Sequence, residues 1–340
     1  MIKVAINGFG RIGRSAFKVA LDKHGDDVEI VAINDLVEPA ILAHLLQYDS
    51  VYGIYSRKIF SDSKNIIVDS RKILVTAEKE PVNLPWKDLS VDVVIESTGR
   101  FTKHDDATKH IRAGAKKVVI SAPGKETPTF LIGVNEDKYK GEDVLNNASC
   151  TTNCIAPVAK VMQEKFGIKK ALMTTIHAVT AEQNLVDGPP PGGKANDLRR
   201  ARAAYLNIIP TTTGAAIATT EAIPELKGKF DGVALRVPVP VGSLSDFTFL
   251  LEKSTTVEEI NRVLTEASKE TPLKGIMAVS NDSLVSSDIV GRSESAIVDL
   301  SLTQLVDGDL VKIFAWYDNE YGYSNRLIEQ VIQVGKTISS

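Results

Sequence analysis

The chain has 340 residues, a length that favours two domains and allows a sizeable core. Its net charge is −3 at pH 7, and no block of lysine and arginine is long enough to follow a nucleic-acid backbone, so nucleic acid is not expected as a main partner. The apolar runs are strand-sized and far shorter than the roughly 20 residues of a membrane helix, so we expect no membrane span.

The N-terminal sequence and the cysteines indicate the compartment. The chain begins MIKVAINGFG, which lacks the apolar stretch of a secretory signal. Its two cysteines, Cys150 and Cys154, have a C-x-x-x-C spacing that fits neither a disulfide framework nor a usual zinc site. We therefore expect a cytoplasmic protein with no bound metal.

The N-terminal half alternates between strand and helix patterns. Apolar runs of strand length lie at residues 2–8, 28–35, 91–97 and 116–122. Apolar residues at helical spacing follow the first run at 11–24, and a polar helix is expected near 103–113. Residues 55–80 have the pattern of short antiparallel strands. The first strand, helix and second strand form the βαβ unit that opens a dinucleotide-binding domain.

A glycine-rich turn joins the first strand to the first helix. The motif G-x-G-x-x-G falls on Gly8, Gly10 and Gly13, where glycines let the backbone approach a pyrophosphate at the helix N-terminus. Glycine-rich turns that only connect a strand to a helix match the same motif. Asp35, at the end of the second strand, can accept hydrogen bonds from ribose hydroxyls and would repel a 2′-phosphate. The combination predicts NAD rather than NADP.

Longer strand patterns follow Cys150. They lie at residues 171–179, 232–241, 245–253 and 296–319, the last of them hairpin-like. Residues 255–270 have the pattern of an amphipathic helix, in which Thr256 and Glu259 have capping-box spacing. Residues 323–338 predict a C-terminal helix.

The predicted fold class is therefore α/β with two domains. A Rossmann-type dinucleotide-binding domain is expected at residues 1–149. A catalytic α+β domain with a mostly antiparallel sheet is expected at 150–319, and residues 320–340 are expected to pack back on the first domain as a helix.

Cys150 is a candidate nucleophile. Residues 150–167 have a helical pattern that starts near this cysteine, so the helix dipole would favour a thiolate. Pro157 lies inside that pattern and removes one helical hydrogen bond. The alternative is that Cys150 is a small buried apolar residue, as free cysteines commonly are. Cys154, followed by IAPVA, fits that structural role better.

A nucleophilic cysteine needs a base. Three of the five histidines lie in charged stretches that we expect to be exposed: His24, His104 and His110. His44 lies in an amphipathic helix pattern, whereas His177 ends the apolar strand MTTIH, from which an imidazole can project into a cleft. A lone histidine is more often structural, but beside Cys150 and a cofactor domain His177 is the candidate base.

Basic and hydroxyl residues indicate an anionic substrate. Arg236 interrupts an apolar strand, so its guanidinium must meet either a structural carboxylate or a substrate anion. Thr213 and Gly214 lie at an expected helix start, which suits a phosphate. The segment LRRARAAY adds three arginines, at least one of which could reach the same pocket: Arg199, Arg200 and Arg202. Together these residues predict hydride transfer on a phosphorylated substrate.

The segments that carry these residues resemble one known family. The sequence is similar to the phosphorylating, NAD-dependent glyceraldehyde-3-phosphate dehydrogenases along nearly its full length. The matching segments are INGFGRIGR, VAIND, ESTGRF, AGAKKVVISAP, ASCTTNC, LRRARAA, IIPTTTGAA, RVPVP and WYDNEYGYSNR. SCTTNC is the most specific of them.

The resemblance implies a glycolytic or gluconeogenic reaction through a thioester. Cys150 would attack the aldehyde to give a hemithioacetal, with His177 as general base and later as the group that polarises the oxyanion. NAD would take the hydride, and inorganic phosphate would cleave the resulting thioester to 1,3-bisphosphoglycerate. The family is a homotetramer whose S-loop, here about residues 181–206, borders the neighbouring subunit's cofactor.

The resemblance also implies binding residues. Besides the three glycines, the cofactor contacts carried over are Arg11, Ile12, Asp35, Lys79, Ser121 and Asn319. The phosphate contacts carried over are Ser149, Thr151, Thr180, Arg200, Thr213, Gly214 and Arg236. Lys79 stands where the family commonly has arginine.

The chain departs from the family pattern in the S-loop. After His177 it reads AVTAEQNLVDGPPPGGKANDLRR, where the family is nearer SYTNDQ with a shorter link to LRR. The GPPPGGK insertion at 188–194 affects cofactor preference and subunit contacts, and Val241 is a further departure. Two alternatives stay open: a dehydrogenase of another phosphorylated aldehyde such as erythrose 4-phosphate, and a non-catalytic NAD-binding or RNA-associated regulator.

Overall fold

The structure is a computed structural model that describes residues 1–190 and 197–338. The chain divides into two compact units. The first comprises Met1–Leu131, Glu136–Ser149 and the C-terminal segment from Ser324, and the second comprises Ile132–Asn135 and Cys150–Tyr323. Over the described residues, no helix has both the length and the apolar character that crossing a membrane requires.

Seven α-helices occur in the described residues. They are α1 (Arg11–Lys23), α2 (Pro39–Gln47), α3 (His104–Arg112), α4 (Cys150–Phe166), α5 (Ala215–Ala222), α6 (Val257–Lys269) and α7 (Tyr321–Lys336). The first three lie in the first unit and the next three in the second, while α7 belongs to the first unit from Ser324 onward.

Ten strands lie in the described residues of the first unit. They are β1 (Ile2–Asn7), β2 (Val28–Asn34), β3 (Tyr48–Asp49), β4 (Gly53–Ile54), β5 (Ile59–Ser61), β6 (Asn65–Val68), β7 (Arg71–Thr76), β8 (Val93–Glu96), β9 (Lys117–Ile120) and β10 (Val144–Asn146). Eight of them form one sheet in the order β10-β9-β8-β1-β2-β7-β6-β5, and β3 pairs with β4 separately.

The pairing within this sheet confirms the predicted Rossmann-type domain. Strands β10 to β7 along that order are parallel, and β5, β6 and β7 are antiparallel to one another, as the pattern at 55–80 predicts. All four residues of β8 are buried because helices cover both faces of a parallel sheet. Strand β1 lies between β2 and β8, so the strand order reverses beside it, and the crevice at the carboxyl ends there is where such folds bind ligands.

In the part of the second unit that the structure describes, eight strands form one sheet. They are β11 (Ile168–Ala178), β12 (Ile209–Thr212), β13 (Phe230–Val237), β14 (Ser243–Leu251), β15 (Met277–Ser280), β16 (Ala296–Asp299), β17 (Gln304–Val306) and β18 (Leu310–Tyr317). Their order is β12-β13-β11-β14-β18-β16-β15, with β17 paired to β18. Only β11–β13 and β15–β16 are parallel pairs among the described strands, so the sheet is mostly antiparallel, as predicted.

Helix α6 shows how local sequence sets an element boundary. Thr256 is the N-cap, and its side chain accepts a hydrogen bond from the Glu259 backbone N–H at 3.2 Å. The Glu259 carboxylate accepts from the Thr255 hydroxyl at 2.8 Å, so among the described contacts only one of the two bonds of the predicted capping box forms. Ile260 and Leu264 lie on the buried stripe of this helix.

Candidate active site

Cys150 is the first residue of α4, and a strained turn directly precedes it. Two residues before it, Ala148 has φ +50°, in the left-handed region that disfavours alanine. The Ala148 N–H donates to Asn146 Oδ1 at 2.9 Å, which fixes that turn. The helix starts where the sequence predicts and continues past Pro157, which lacks an N–H to donate within it.

His177 and Arg236 are brought together by strand pairing. Strands β11 and β13 are parallel, and these two residues are register partners near the carboxyl ends of both strands. Arg236 Nη1 lies 2.7 Å from His177 Nδ1 and donates to the Ala178 carbonyl oxygen at 2.9 Å. The imidazole is buried, whereas Arg236 is half-buried. The pairing places a cation beside the candidate base.

The thiol and the imidazole are in contact. Cys150 Sγ lies 3.3 Å from His177 Nε2. His177 Nδ1 lies 2.7 Å from both the Ala178 carbonyl oxygen and Arg236 Nη1, so it donates to the carbonyl in one tautomer and accepts from the guanidinium in the other. In the tautomer with the hydrogen on Nδ1, Nε2 is an acceptor that faces the thiol, which is the arrangement a general base requires.

Burial sets the resting protonation of this pair. Burial and, to a smaller extent, the neighbouring Arg236 guanidinium lower the pKa of His177 to about 3, although the hydrogen bond with the Ala178 carbonyl raises it. Burial also raises the pKa of the Cys150 thiol, although Arg236 and the hydrogen bonds from Thr151 act in the opposite direction. The hydrogen bonds at the helix start thus act in the predicted direction, but burial outweighs them, so the expected thiolate is not favoured overall. Both pKa shifts favour the neutral thiol and the neutral imidazole.

Tyr317 is a residue of this site that the sequence analysis did not single out. Its hydroxyl is hydrogen-bonded to Thr151 Oγ1 at 2.9 Å and to Thr175 Oγ1 at 2.8 Å. Its ring packs edge-on against the His177 ring, with centroids 6.0 Å apart. Period-two burial along β18 places it on the inner face at the strand end, a signal that was available. Tyr317 ties the start of α4 to β11.

Arg236 is the cation of this site that is available to an anion. Within the described residues it donates to the Ala178 carbonyl and lies against His177 Nδ1, and no carboxylate forms an ion pair with it. Of the two roles that the sequence left open, a substrate anion fits this observation better than a structural carboxylate. Nearby, Thr180 Oγ1 is buried and has no hydrogen-bond partner in the described part of the chain.

The predicted phosphate cradle at α5 has the expected local structure. Gly214 is the N-cap of α5, and the Ala215 N–H donates to Thr213 Oγ1 at 3.2 Å. A Cβ at Gly214 would have no atom within 4 Å, so the helix start faces open space. Backbone N–H groups at this end are available to an oxyanion.

Other predicted phosphate contacts have internal partners. Arg200 forms ion pairs with Glu182 and Asp197, and its Nε donates to Thr211 Oγ1 at 3.1 Å. Its guanidinium is thus partly neutralised by carboxylates, unlike that of Arg236.

The remaining members of that set are placed as follows. The Thr151 hydroxyl is buried and bonded to Tyr317. Ser149 directly precedes Cys150 and is half-buried.

Val241, one of the departures from the family pattern, is buried, at 2% exposure. The insertion GPPPGGK is described only as far as residue 190, so its remaining residues, 191–194, lie outside the described residues.

A pocket at the carboxyl ends of β1, β2 and β8 contains the predicted dinucleotide residues. It is lined by residues that include Gly8, Gly10, Asp35 and Lys79. The Asp35 carboxylate accepts from the Phe9 N–H at 2.8 Å and so fixes the glycine turn. Helix α1 begins just beyond this turn, with no side chain capping its N-terminus. The residues present therefore fit an anionic dinucleotide.

Two of the glycines are required by close approach of the backbone. Gly8 has φ +94°, and a Cβ there would lie 2.7 Å from the Thr98 backbone nitrogen. A Cβ at Gly13 would lie 2.2 Å from the Gly8 carbonyl oxygen. At Gly10 the same test finds nothing within 4 Å, which leaves room for a ligand. The three glycines thus have the distinct roles that the motif predicts.

Five predicted cofactor residues are not part of this pocket lining, and Gly13 is one of them. Arg11 begins α1 and pairs with Asp49 at 2.8 Å. Ile12 follows it, and Ser121 follows β9, where its N–H donates to the Glu96 carbonyl at 2.9 Å. Asn319 lies in the second unit, where its Oδ1 accepts from the Ser243 hydroxyl at 2.9 Å.

The expectation for His110 is wrong. This histidine was expected to be exposed, but it is fully buried at 0% exposure on α3. Ala107, one turn before it, is also buried, so helical spacing was the available signal. His104, in the same helix, is exposed as expected.

Comparison with known proteins identifies relatives for both units. A family model described as the NAD-binding domain of glyceraldehyde 3-phosphate dehydrogenase matches residues 2–104. A model described as the C-terminal domain of the same enzyme matches residues 149–319.

Curated relatives match along the whole chain. The glyceraldehyde-3-phosphate dehydrogenase of Streptomyces coelicolor is 52% identical, and the alignment covers 99% of each chain. That of Geobacillus stearothermophilus is 52% identical over 96% of each chain, and glyceraldehyde-3-phosphate dehydrogenase 1 of Bacillus subtilis is 50% identical over 98%. These matches confirm the resemblance carried by the sequence motifs.

Proposed function

Because the chain belongs to the glyceraldehyde-3-phosphate dehydrogenase family, we propose that it oxidises D-glyceraldehyde 3-phosphate to 1,3-bisphosphoglycerate, with inorganic phosphate as co-substrate and reduction of NAD. The observation that carries this proposal is the 3.3 Å separation of Cys150 Sγ and His177 Nε2. Arg236, the neighbouring cation without a carboxylate partner among the described residues, supports a phosphorylated substrate.

The residues of the chain account for the first step. As Cys150 Sγ bonds to the aldehyde carbon, the thiol proton passes to His177 Nε2, which leaves a hemithioacetal with its oxygen protonated or bound by the imidazolium. A resting neutral pair suits this concerted transfer, because neither charge has to exist before the substrate binds. The Arg236 cation lies beside His177 Nδ1 and faces the growing negative charge on the substrate.

Oxidation and phosphorolysis complete the cycle. Gly8, Gly10 and Asp35 of the pocket in the first unit would hold NAD, which would supply the acceptor for the hydride of the hemithioacetal carbon. His177 takes the hydroxyl proton in the same step, and the product on Cys150 is a thioester. A phosphate oxygen then attacks the thioester carbon, the C–S bond breaks, and the thiol recovers a proton from His177. Oxidation energy is thus retained in the acyl phosphate.

Residues of both units receive binding roles in this proposal. We assign the anionic groups of substrate and phosphate to Arg236, to the unpartnered Thr180 hydroxyl and to the helix start at Thr213 and Gly214. Arg200 is less suited to bind phosphate, because it already forms ion pairs with Glu182 and Asp197. In the first unit, the carboxylate of Asp35 favours the two free ribose hydroxyls of NAD over the 2′-phosphate of NADP.

A homotetramer in the cytoplasm is part of the proposal. Large apolar side chains are exposed on the chain, including Ile41 and Leu45 on α2 and Leu185, Val186 and Leu206 in the described part of the S-loop. Apolar side chains at such exposure favour contact with another subunit. Cys150 and Cys154 are both free thiols, which suits a reducing compartment.

The proposed function predicts phosphate-dependent NADH formation. Purified protein with glyceraldehyde 3-phosphate and NAD should form NADH continuously only when inorganic phosphate is added, because the thioester otherwise accumulates on Cys150. The rate of NADH formation is followed by absorbance at the NADH band. A higher kcat/KM for erythrose 4-phosphate would favour the other dehydrogenase, and NAD binding without any phosphate-dependent NADH would favour the non-catalytic regulator.

Arg236→Leu should raise the KM for glyceraldehyde 3-phosphate and for phosphate by at least about tenfold, because a charge-assisted hydrogen bond is lost. The guanidinium lowers the pKa of both Cys150 and His177, so its removal should raise both. At a given pH less thiolate then forms, and alkylation of Cys150 by iodoacetamide should slow and shift to higher pH. The matched variant Arg236→Lys keeps the charge and should shift the alkylation profile less. An unchanged substrate KM in Arg236→Leu would make this a structural arginine.

A further inference from the structure

A buried polar chain lies beneath the dinucleotide pocket of the first unit. Trp86, His110 and Glu96 are each at most 1% exposed, and none of them is required by the catalytic chemistry of Cys150 and His177. Trp86 Nε1 donates to His110 Nδ1 at 2.9 Å. His110 Nε2 lies 3.1 Å from Glu96 Oε2. Buried polar groups of this kind are costly unless every bond is made.

The indole fixes the tautomer of the imidazole. A tryptophan N–H can only donate, so His110 Nδ1 must accept and the ring hydrogen must be on Nε2. His110 therefore donates to Glu96, and it does so from α3, outside the pocket lining. Neither leucine nor phenylalanine could make both bonds.

Glu96 in turn accepts hydrogen bonds from two segments that line the pocket. Its Oε1 accepts from the Thr98 N–H at 2.8 Å and from the Thr98 hydroxyl at 2.5 Å. Its Oε2 accepts from Asn7 Nδ2 at 2.5 Å. Thr98 and Asn7 both line the pocket, and Asn7 directly precedes the glycine turn. The Thr98 backbone nitrogen is also the atom that a Cβ at Gly8 would strike, at 2.7 Å.

The chain of bonds continues to a third segment. Asn34 Nδ2 donates to Asn7 Oδ1 at 2.7 Å and to the Glu78 carbonyl at 2.9 Å. Asn34 Oδ1 in turn accepts from the Glu78 N–H at 2.9 Å, so both sides of that amide hold the segment that carries Lys79. The carboxyl ends of β1, β2 and β8 and the segment after β7 are thereby connected through side chains.

We propose that Trp86, His110 and Glu96 are positioning residues for NAD: they hold the loop at Thr98 and the glycine turn in the geometry that receives the dinucleotide. This inference rests on the proposed function, because it presumes that NAD occupies this pocket. Preorganisation of this kind contributes to affinity by removing the cost of ordering the pocket on binding.

The test compares His110→Leu with His110→Gln. Leucine removes both bonds, whereas the glutamine amide can accept from Trp86 and donate to Glu96. We expect the Kd for NAD, measured by calorimetry without substrate, to rise about tenfold in His110→Leu and to return to within about threefold of wild type in His110→Gln. The KM for NAD should follow the Kd. The KM for glyceraldehyde 3-phosphate and kcat at saturating NAD should change by less than about twofold.

The outcomes separate the possible roles. An unchanged Kd in His110→Leu, or equal losses in the two variants that follow their melting temperatures, would show that the chain only stabilises the fold and would overturn the inference. If His110→Leu does not fold, Trp86→Phe, which removes the indole donor and keeps a smaller aromatic ring, is measured instead, and we expect the same rise in the Kd for NAD. Wild-type protein that binds no NAD would contradict the proposed function instead, so the two failures are distinguishable.

Discussion

Replacing Cys150 by serine is expected to lower kcat for aldehyde oxidation by at least about 10⁴-fold, the order of loss when an enzyme's nucleophile is removed. A serine hydroxyl is a much weaker acid and nucleophile than a thiol, so the same base, His177, activates it far less. Steady-state NADH formation measures the effect.

The fold and the cofactor affinity should survive this change. Cys150 is half-buried at the first position of α4, and serine is slightly smaller, so no overpacking results. The Kd for NAD should stay within about twofold of wild type, since the glycine turn lies in the first unit. Calorimetric titration with NAD separates loss of chemistry from loss of folding.

Cys154→Ser is the matched control. Cys154 lies one turn further along α4, is fully buried, and has Sγ 3.7 Å from the Ala315 carbonyl oxygen, to which a serine hydroxyl can donate. This variant should keep most of the kcat and lose some stability, because a hydroxyl is buried in place of a sulfur. The reverse result, with Cys150→Ser active and Cys154→Ser inactive, would remove Cys150 from the mechanism.

The elements of the site could be predicted from sequence because their signals are local. The glycine spacing before α1, the apolar strand that ends at His177 and the helix that starts at Cys150 each occupy fewer than about 20 consecutive residues. Arg236 was equally visible, as a charge in an apolar strand. What local patterns do not encode is the parallel register of β11 and β13, which sets Arg236 beside a histidine 59 residues away.

The two errors have one physical cause. The acidity of Cys150 was predicted from the helix dipole, which acts over the first turn, but burial by distant segments dominates the pKa. His110 was predicted to be exposed from its charged sequence neighbours, but its partner Trp86 lies 24 residues away and covers it. Desolvation depends on tertiary packing, which the charged neighbours of His110 do not indicate; its helical spacing from Ala107 was the better local signal. Tyr317 was missed for the same reason, since its role lies in contacts with α4 and β11.

His177→Asn tests whether proton transfer, and not only the cysteine, limits the reaction. We expect kcat to fall by about 10²- to 10⁴-fold, the usual contribution of a general base, because asparagine cannot take the thiol proton at the position of Nε2. Alkylation of Cys150 by iodoacetamide should also slow at neutral pH, since the thiol must then lose its proton to solvent.

The pH dependence distinguishes this role from a structural one. Burial raises the pKa of the Cys150 thiol, so without the base the fraction of thiolate, and with it the rate, should keep rising with pH above the ordinary thiol range. In the wild type the imidazole accepts the proton during attack, so the rate should depend less steeply on pH there. His104→Asn, an exposed histidine on α3, is the control and should match the wild type in both measurements. A His177→Asn variant with wild-type kcat and an unchanged pH profile would mean that another group accepts the thiol proton.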